Sequence, residues 1–234
     1  MYDTIIIIPY RDRNDQLKKF IEDVVPLFEK HVSNFKLLII EQEQGKIFNR
    51  GKLLNIGFKE YLNKTNYFIT HDIDIYPMEK TIINYYNKTD SDIIGIYTSY
   101  YDTLGGIMKI NNDAVKKING FPNNYWGWGV EDKAIQNRAN FYNITITKNL
   151  IMNKSNMSCA IDIHEGFTRL NNKNDRTKDE NFNKKTQFEY TTFKNLQEND
   201  KKKHILSSGL NNLTYTIINK ININDNIELI KVSI

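Results

Sequence analysis

The chain of 234 residues holds only one cysteine, four prolines, four histidines and two tryptophans. With Cys159 alone, no disulfide can form within the chain, which fits a reducing compartment. No apolar run approaches the ~20 residues that a membrane-spanning helix needs. The opening "MYDTIIIIPY" offers four isoleucines, too few for the apolar core of a signal peptide. The expectation is therefore a cytoplasmic or soluble protein with no membrane span. Strong charge of one sign is also missing: the net charge is +4 and the pI about 8.8. The basic residues form no concentrated run before residue 171, so nucleic acid is not an expected partner. The bias towards Asn, Lys and Ile points to an AT-rich microbial or viral genome. On that view Asn63-Lys64-Thr65 and Asn212-Leu213-Thr214 match the glycosylation triplet by chance.

What is present suffices for one sizeable core, at 40% hydrophobic and 26% charged residues. Ile5–Ile8 form a β-branched run ending at Pro9, the mark of a strand buried on both faces. Leu17, Phe20, Ile21, Val24 and Leu27 fall on one face of a helix from about Asp15 to Lys30. "FKLLIIEQ" is a second buried strand, "NRGKLLNIGFKEYL" a second helix, and "NYFITHDIDIY" a third strand. Strand–helix–strand–helix–strand predicts a parallel sheet with right-handed crossovers, an α/β fold. Further strands are expected in "DIIGIYTS" and "LGGIMKIN", a short helix over Asn112–Lys117, and another over 131–142. The stretch 171–203 is polar and short of apolar period, and reads as a partly mobile surface excursion. "LTYTIINKININDNIELIKVSI" closes the chain as an antiparallel hairpin. The whole reads as a single domain over 1–234.

Five local patterns carry chemistry. Asp72-Ile73-Asp74 closes the third strand, where two hard oxygens suit Mn²⁺ or Mg²⁺ and, through it, a diphosphate; a lone Asp-x-Asp is equally a polar strand end. Pro9, Tyr10, Arg11 and Arg13 follow the first strand, offering an aromatic plane and cations to a nucleotide, or simply a charged loop. Phe48, Asn49 and Arg50 repeat the theme before a helix N-terminus. In "WGWGVED", glycines flank Trp128, a flat platform for a sugar face, and Asp132 beside it can accept a proton from a hydroxyl; a core tryptophan pair with a helix-capping acid is the plainer reading. In "CAIDIHEGF", Asp162 and His164 stand two apart as metal-ligand candidates. Successive strands of one parallel sheet deliver their carboxyl ends to one crevice. Convergence there is the argument for a metal-dependent nucleotide-sugar site.

These residues resemble the β-1,4-galactosyltransferase family, inverting enzymes of the GT-A fold. The likeness runs in order through "PYRDR", "FNRGKLLNIGF", "HDIDIYP", "LGGIMKI", "NGFPNNYWGWGVED", a histidine at 164, and "SSGLNNLTY". It implies a Rossmann-like mixed sheet flanked by helices, with residues 1–80 as a nucleotide-binding half. Residues 81–234 would then be the acceptor-binding half, with a flexible segment over 150–203. Pro9, Tyr10, Arg11, Arg13, Phe48, Arg50, Asp72, Ile73, Asp74 and Trp128 would bind a UDP-sugar. Trp128, Glu131 and Asp132 would bind a glycan or glycoconjugate acceptor, Asp132 acting as general base. The family's metal-binding histidine falls on His164 and its metal Asp on Asp74. Departures matter too: Lys133 replaces a third acid, and Ile161 stands where a ligating methionine is usual. The expected metal ligands are therefore Asp74, Asp162 and His164, taking Mn²⁺ or Mg²⁺. A tyrosine that restricts the donor pocket is replaced by Asp102 or Thr103, opening it to UDP-GalNAc beside UDP-Gal. Other readings are a GalNAc or glucose transferase of the chondroitin-polymerase kind, and a non-catalytic sugar-binding protein. The family's disulfides cannot form, and its anchor and stem have no counterpart here.

Overall fold

β1 (Tyr2–Tyr10) carries the isoleucine run through Pro9, which pairs in register with Ile40 of β2 (Phe35–Gln42). The strand was expected to stop at the proline. The partner on its other flank, β3 (Thr65–His71), has no register with β1 beyond Ile7, so Pro9 stands where that flank is already unpaired. Both partnerships of β1 are parallel, as the alternation of strands and helices requires. Ile6, Ile8, Leu37 and Ile39 enter one apolar cluster while Ile5, Ile7, Leu38 and Ile40 enter another. The sheet therefore has a core on each face, which is why its strands show no polar alternation.

The structure, a computed structural model, describes residues 1–98, 103–127, 129–148, 161–162, 167–169 and 180–234. The first cluster is roofed by α1 (Asn14–Asp23) and α2 (Val25–His31). One continuous helix was expected here. Pro26, lacking an N–H for the carbonyl of Glu22, divides it at Val24. On the opposite face lie α3 (Arg50–Tyr61), α5 (Asn112–Lys117) and α6 (Glu131–Phe141). Between them in sequence come a helical turn, α4 (Glu79–Thr81), and a π-turn over Ile82–Tyr86.

Eight strands form the main sheet. Beyond β3 follow β6 (Ile107–Asn111), β5 (Ile93–Tyr97) and β7 (Ile146–Lys148), with β6 antiparallel to both neighbours. On the other flank the closing hairpin, β10 (Thr216–Asn224) and β11 (Ile227–Ser233), is antiparallel as expected. Its second strand also docks parallel to β2, a long-range pairing that no local pattern announces. A second, three-stranded sheet contains β4 (Ile75–Pro77), β9 (Phe167–Arg169) and β8 (Ile161–Asp162).

Two further expectations change. The third strand was to run through Asp72 and Asp74, but it ends at His71 and the chain turns over 72–74 into the small sheet. The turn is fixed by Asp72 N–H donating to the Gly106 carbonyl (3.0 Å) and Ile75 N–H donating to that of Asp72 (3.2 Å). The two carboxylates thus belong to a turn rather than to one face of a pleat. Residues 180–203, expected to be irregular, lie within α7 (Glu180–Asn195) and α8 (Glu198–Ser207). Among their described side chains the buried stripe is Thr186, Tyr190, Phe193 and Ile205, sparse among Asn and Lys.

Candidate active site at the carboxyl ends of the parallel strands

The loops after β1, β2 and β3 leave the same edge of the sheet, and their side chains meet there. After β1, the Arg11 guanidinium lies 5.4 Å from the centre of the Phe48 ring and donates to the Lys46 carbonyl (2.5 Å). Arg13 reaches Asp74 at 4.0 Å. Tyr10 is only 4% exposed and packs into the first cluster, its hydroxyl donating to Asn14; Phe48 is the more open ring of the two. Ile73 likewise turns inward to the core, at 2% exposure.

Arg50 joins the parts. Its Nε donates to Asp72 Oδ1 (2.8 Å) and its Nη1 to Asp132 Oδ1 (2.9 Å), with Glu131 Oε1 at 3.7 Å. One cation therefore faces three carboxyl groups drawn from two loops 60 residues apart. The remaining nitrogen, Nη2, is buried and meets no hydrogen-bond acceptor among the described residues. Unpaired donors of this kind are costly in an interior, and a bound oxyanion would satisfy this one.

Glu131 and Asp132 open α6 at the positive end of its dipole. Burial nevertheless pushes the Glu131 carboxyl up to about 8, helped by the charge of Asp132 and opposed by Arg50. At neutral pH Glu131 keeps its proton. The helix starts from Val130, a β-branched residue held at φ 63°, a strain of roughly 1–3 kcal/mol located at the site. Gly105 permits the packing from the sheet side. A Cβ there would lie 2.1 Å from Asp132 Oδ2.

Beneath the turn, His71 is fully buried. Its Nδ1 lies 2.9 Å from the Asp72 carbonyl, which can only accept, so Nδ1 carries the proton. Nε2 then accepts from the Tyr86 hydroxyl, also at 2.9 Å. Burial drives the imidazole down to about 4, so it stays neutral and holds that tautomer.

Three asparagine-rich motifs lock the site's framework; of these side chains the sequence pattern singled out only Asn49, as part of a nucleotide site rather than as a clamp. Asn49 caps α3 at the Lys52 N–H (2.9 Å) and donates to the Asn123 carbonyl (2.8 Å). Asn55 donates to the Phe121 carbonyl (2.7 Å) and accepts from its N–H (2.8 Å). Asn123 donates to the Gly209 carbonyl (2.7 Å), and buried Arg138 of α6 donates to the Gly120 and Ser208 carbonyls (2.8 and 2.5 Å). Gly120, at φ +62°, has no room for a Cβ beside Asn55. The available signal was the recurrence of Asn beside Gly in "FNRGKLLN", "NGFPNN" and "SSGLNN".

Of the expected metal ligands, Asp74 sits on the turn and Asp162 in β8, whose neighbour β9 pairs with β4 just beyond Asp74. Trp128 and His164 lie outside the described residues, as does Asp102; Thr103 is buried, its carbonyl accepting from Lys148 Nζ (2.8 Å). Among the described residues no group of three metal-ligating side chains is assembled, and no helix is long and apolar enough to cross a membrane.

A mixed sheet with this strand order and an acidic turn at its carboxyl edge defines the class: this is a GT-A fold. The catalytic domain of Drosophila β1,4-galactosyltransferase 7, solved in complex with xylobiose, superposes with a TM-score of 0.76 at 20% identity. The match covers 100% of this chain and 94% of that one. A mutant of the same enzyme, in complex with manganese, UDP-Gal and xylobiose, gives 0.75 at 19% identity, with the same coverage. Residues 1–88 match the N-terminal region of glycosyl transferase group 7, and residues 88–158 the N-terminal domain of galactosyltransferase. β-1,4-galactosyltransferase 1 from Bos taurus and its Homo sapiens counterpart are each 31% identical over 224 residues, covering 91% of this chain. The chain belongs to the β-1,4-galactosyltransferase family. It spans about half the length, 50%, of those two relatives.

Proposed function

We propose that the chain is a divalent-metal-dependent, inverting glycosyltransferase that moves galactose from UDP-Gal to a hydroxyl of a sugar acceptor. The observation that carries this reading is Arg50, whose one guanidinium ties the acidic turn at Asp72 to the Glu131–Asp132 pair. The named relatives are galactosyltransferases, and the neighbouring Drosophila structure contains manganese, UDP-Gal and xylobiose.

In this reading Arg11, Arg13 and Phe48 hold the uridine and diphosphate. Arg50, with its unsatisfied Nη2, orients the donor at the rim. Asp74, with Asp162 and His164, holds the metal; the oxygen-rich set suits manganese and accepts magnesium. When bound, the metal neutralises charge on the departing diphosphate. Asp132 takes the proton from the acceptor hydroxyl as that oxygen attacks the sugar from the face opposite UDP, which inverts the configuration. Glu131, kept neutral by burial, anchors the acceptor without competing for that proton. Trp128, between Gly127 and Gly129, both at positive φ, covers the sugar and excludes water. Asp102 or Thr103, either of them smaller than tyrosine, leaves room for an N-acetyl group, so UDP-GalNAc is the second donor.

The test is UDP release from UDP-Gal, UDP-GalNAc and UDP-Glc without acceptor, in Mn²⁺ and then in EDTA. Slow, metal-dependent release from UDP-Gal is expected, with UDP-GalNAc next. In D132N, UDP binding should persist while transfer to acceptor falls by ~10²–10⁴-fold. Absence of metal-dependent UDP binding would overturn the assignment.

A further inference from the structure

A second cleft, of about 310 Å³, opens beside the loop that leads into α6. It is lined by Lys52, Asn123, Trp126, Ser208, Asn212 and Thr214, among others. Its wall is largely self-satisfied. Asn123 donates to Gly209 and Asn212, the Ser208 hydroxyl accepts from the Asn123 N–H, and Asn212 accepts from the Gly209 N–H. Such cross-bonding leaves a rigid surface that cannot rearrange to absorb a new charge.

Three groups stand outside that network. Lys52 is only 9% exposed, yet its ammonium has no hydrogen-bond acceptor or ion-pair partner among the described residues. The indole N–H of the half-buried Trp126 likewise has no hydrogen-bond partner among them, and Thr214 is exposed to solvent. Most of its side chain is buried while the residue lines the cleft, so the charge of Lys52 is offered to whatever occupies that cleft. Here the nearest charge acting on it is that of Lys46, also positive. At the rim, Glu189 accepts from Asn124 (2.5 Å). Lys52 and Trp126 are pure donors, so a ligand that engages both supplies acceptor oxygens and, opposite the ammonium, negative charge. The indole also provides an apolar face, which suits a sugar ring better than a bare ion.

We propose that this cleft is a subsite for an acidic sugar, whose carboxylate pairs with Lys52 while its ring rests on Trp126. Trp126, on the cleft wall, precedes Gly127, whose N–H donates to the carbonyl of Phe48 in the candidate active site (2.9 Å). The cleft therefore adjoins the candidate active site, and the sugar it holds is a neighbouring residue of the acceptor glycan. That last step rests on the proposed transfer; binding in the cleft does not.

Binding is therefore measured first, on the whole chain without donor, by titrating methyl β-glucuronide, methyl β-glucoside and inorganic sulfate against tryptophan fluorescence and amide NMR shifts. The two glycosides differ in charge at one carbon. The glucuronide is expected to bind about tenfold tighter than the glucoside, the increment of a charge-assisted hydrogen bond. Lys52→Met should abolish that preference, leaving UDP affinity and the melting temperature unchanged or the latter raised. Equal affinity for the two glycosides, or a preference that survives Lys52→Met, would overturn the proposal. So would sulfate binding as tightly as the glucuronide, since the cleft would then take any anion. If glucuronide binds as stated but no UDP-sugar is turned over, the subsite stands and the transferase reading fails.

Discussion

Arg50 and Glu131 show how a single residue sets the electrostatics of the site. Glu131 is raised in the folded chain from 4.5 to about 8. Between those values the folded state holds a proton that the unfolded state has released. Stability therefore falls as pH rises through that window, by about 1 kcal/mol per pH unit. Glu131→Gln should remove the slope and leave the variant more stable than the parent at pH 8, as read by urea denaturation at pH 5 and pH 8. An unchanged slope would mean that Glu131 ionises freely in the fold. At this scale the sequence was informative about which residues meet. Arg11 and Phe48, Arg13 and Asp74, and Arg50 and Asp72 are all neighbours, as convergence at one sheet edge requires. It was less informative about orientation. Tyr10 and Ile73 share motifs with exposed residues but face the core, because strand and turn geometry alternate the side chains.

Among the elements, the two adjoining glycines before β6 act through the start of α6. Gly105→Ala places a Cβ 2.1 Å from Asp132 Oδ2, and the carboxylate must swing away from Arg50 to relieve the contact. The expected result is a fold of nearly parental stability with UDP binding intact. Turnover should drop about 100-fold, the usual cost of an ångström's misplacement of a catalytic group. A Gly105→Ala variant with parental turnover would show that Asp132 has freedom to spare. Strands and helices with dense apolar period were legible: β2 covers "FKLLIIEQ" and α5 covers Asn112–Lys117 as expected. The failures have specific causes. Pro26 broke a helix whose apolar face continued unbroken, and the turn at 72–74 depends on the Gly106 carbonyl, 34 residues away. In α7 and α8, tertiary contacts of four side chains outweigh a polar composition.

For the whole molecule, the clamp of asparagines and Arg138 binds α3, the loop before α6 and the segment after α8 into one frame. Asn55→Ala would strand both the N–H and the carbonyl of buried Phe121. A loss of about 3 kcal/mol and a melting temperature lower by about 10 °C are expected by calorimetry. Loss of acceptor binding should accompany it, since the loop carrying Trp126 shares the same anchor. A melting temperature within a degree of the parent would show that water replaces the amide. The bonds from Asn55 to Phe121 and from Asn123 to Gly209 were not visible as pattern, because they link residues 66 and 86 positions apart.

The pairing of β11 with β2 has a consequence in time. Leu37–Gln42 waits, one flank open, until residues 227–232 have been synthesised. With elongation at about 5–20 residues per second, roughly 10–40 seconds separate the appearance of these two partners on the ribosome. Throughout that interval the nascent chain presents Leu38, Ile39 and Ile40 along an unpaired edge. The arrival of β11 therefore covers that edge and ends the period in which a chaperone has most to bind there.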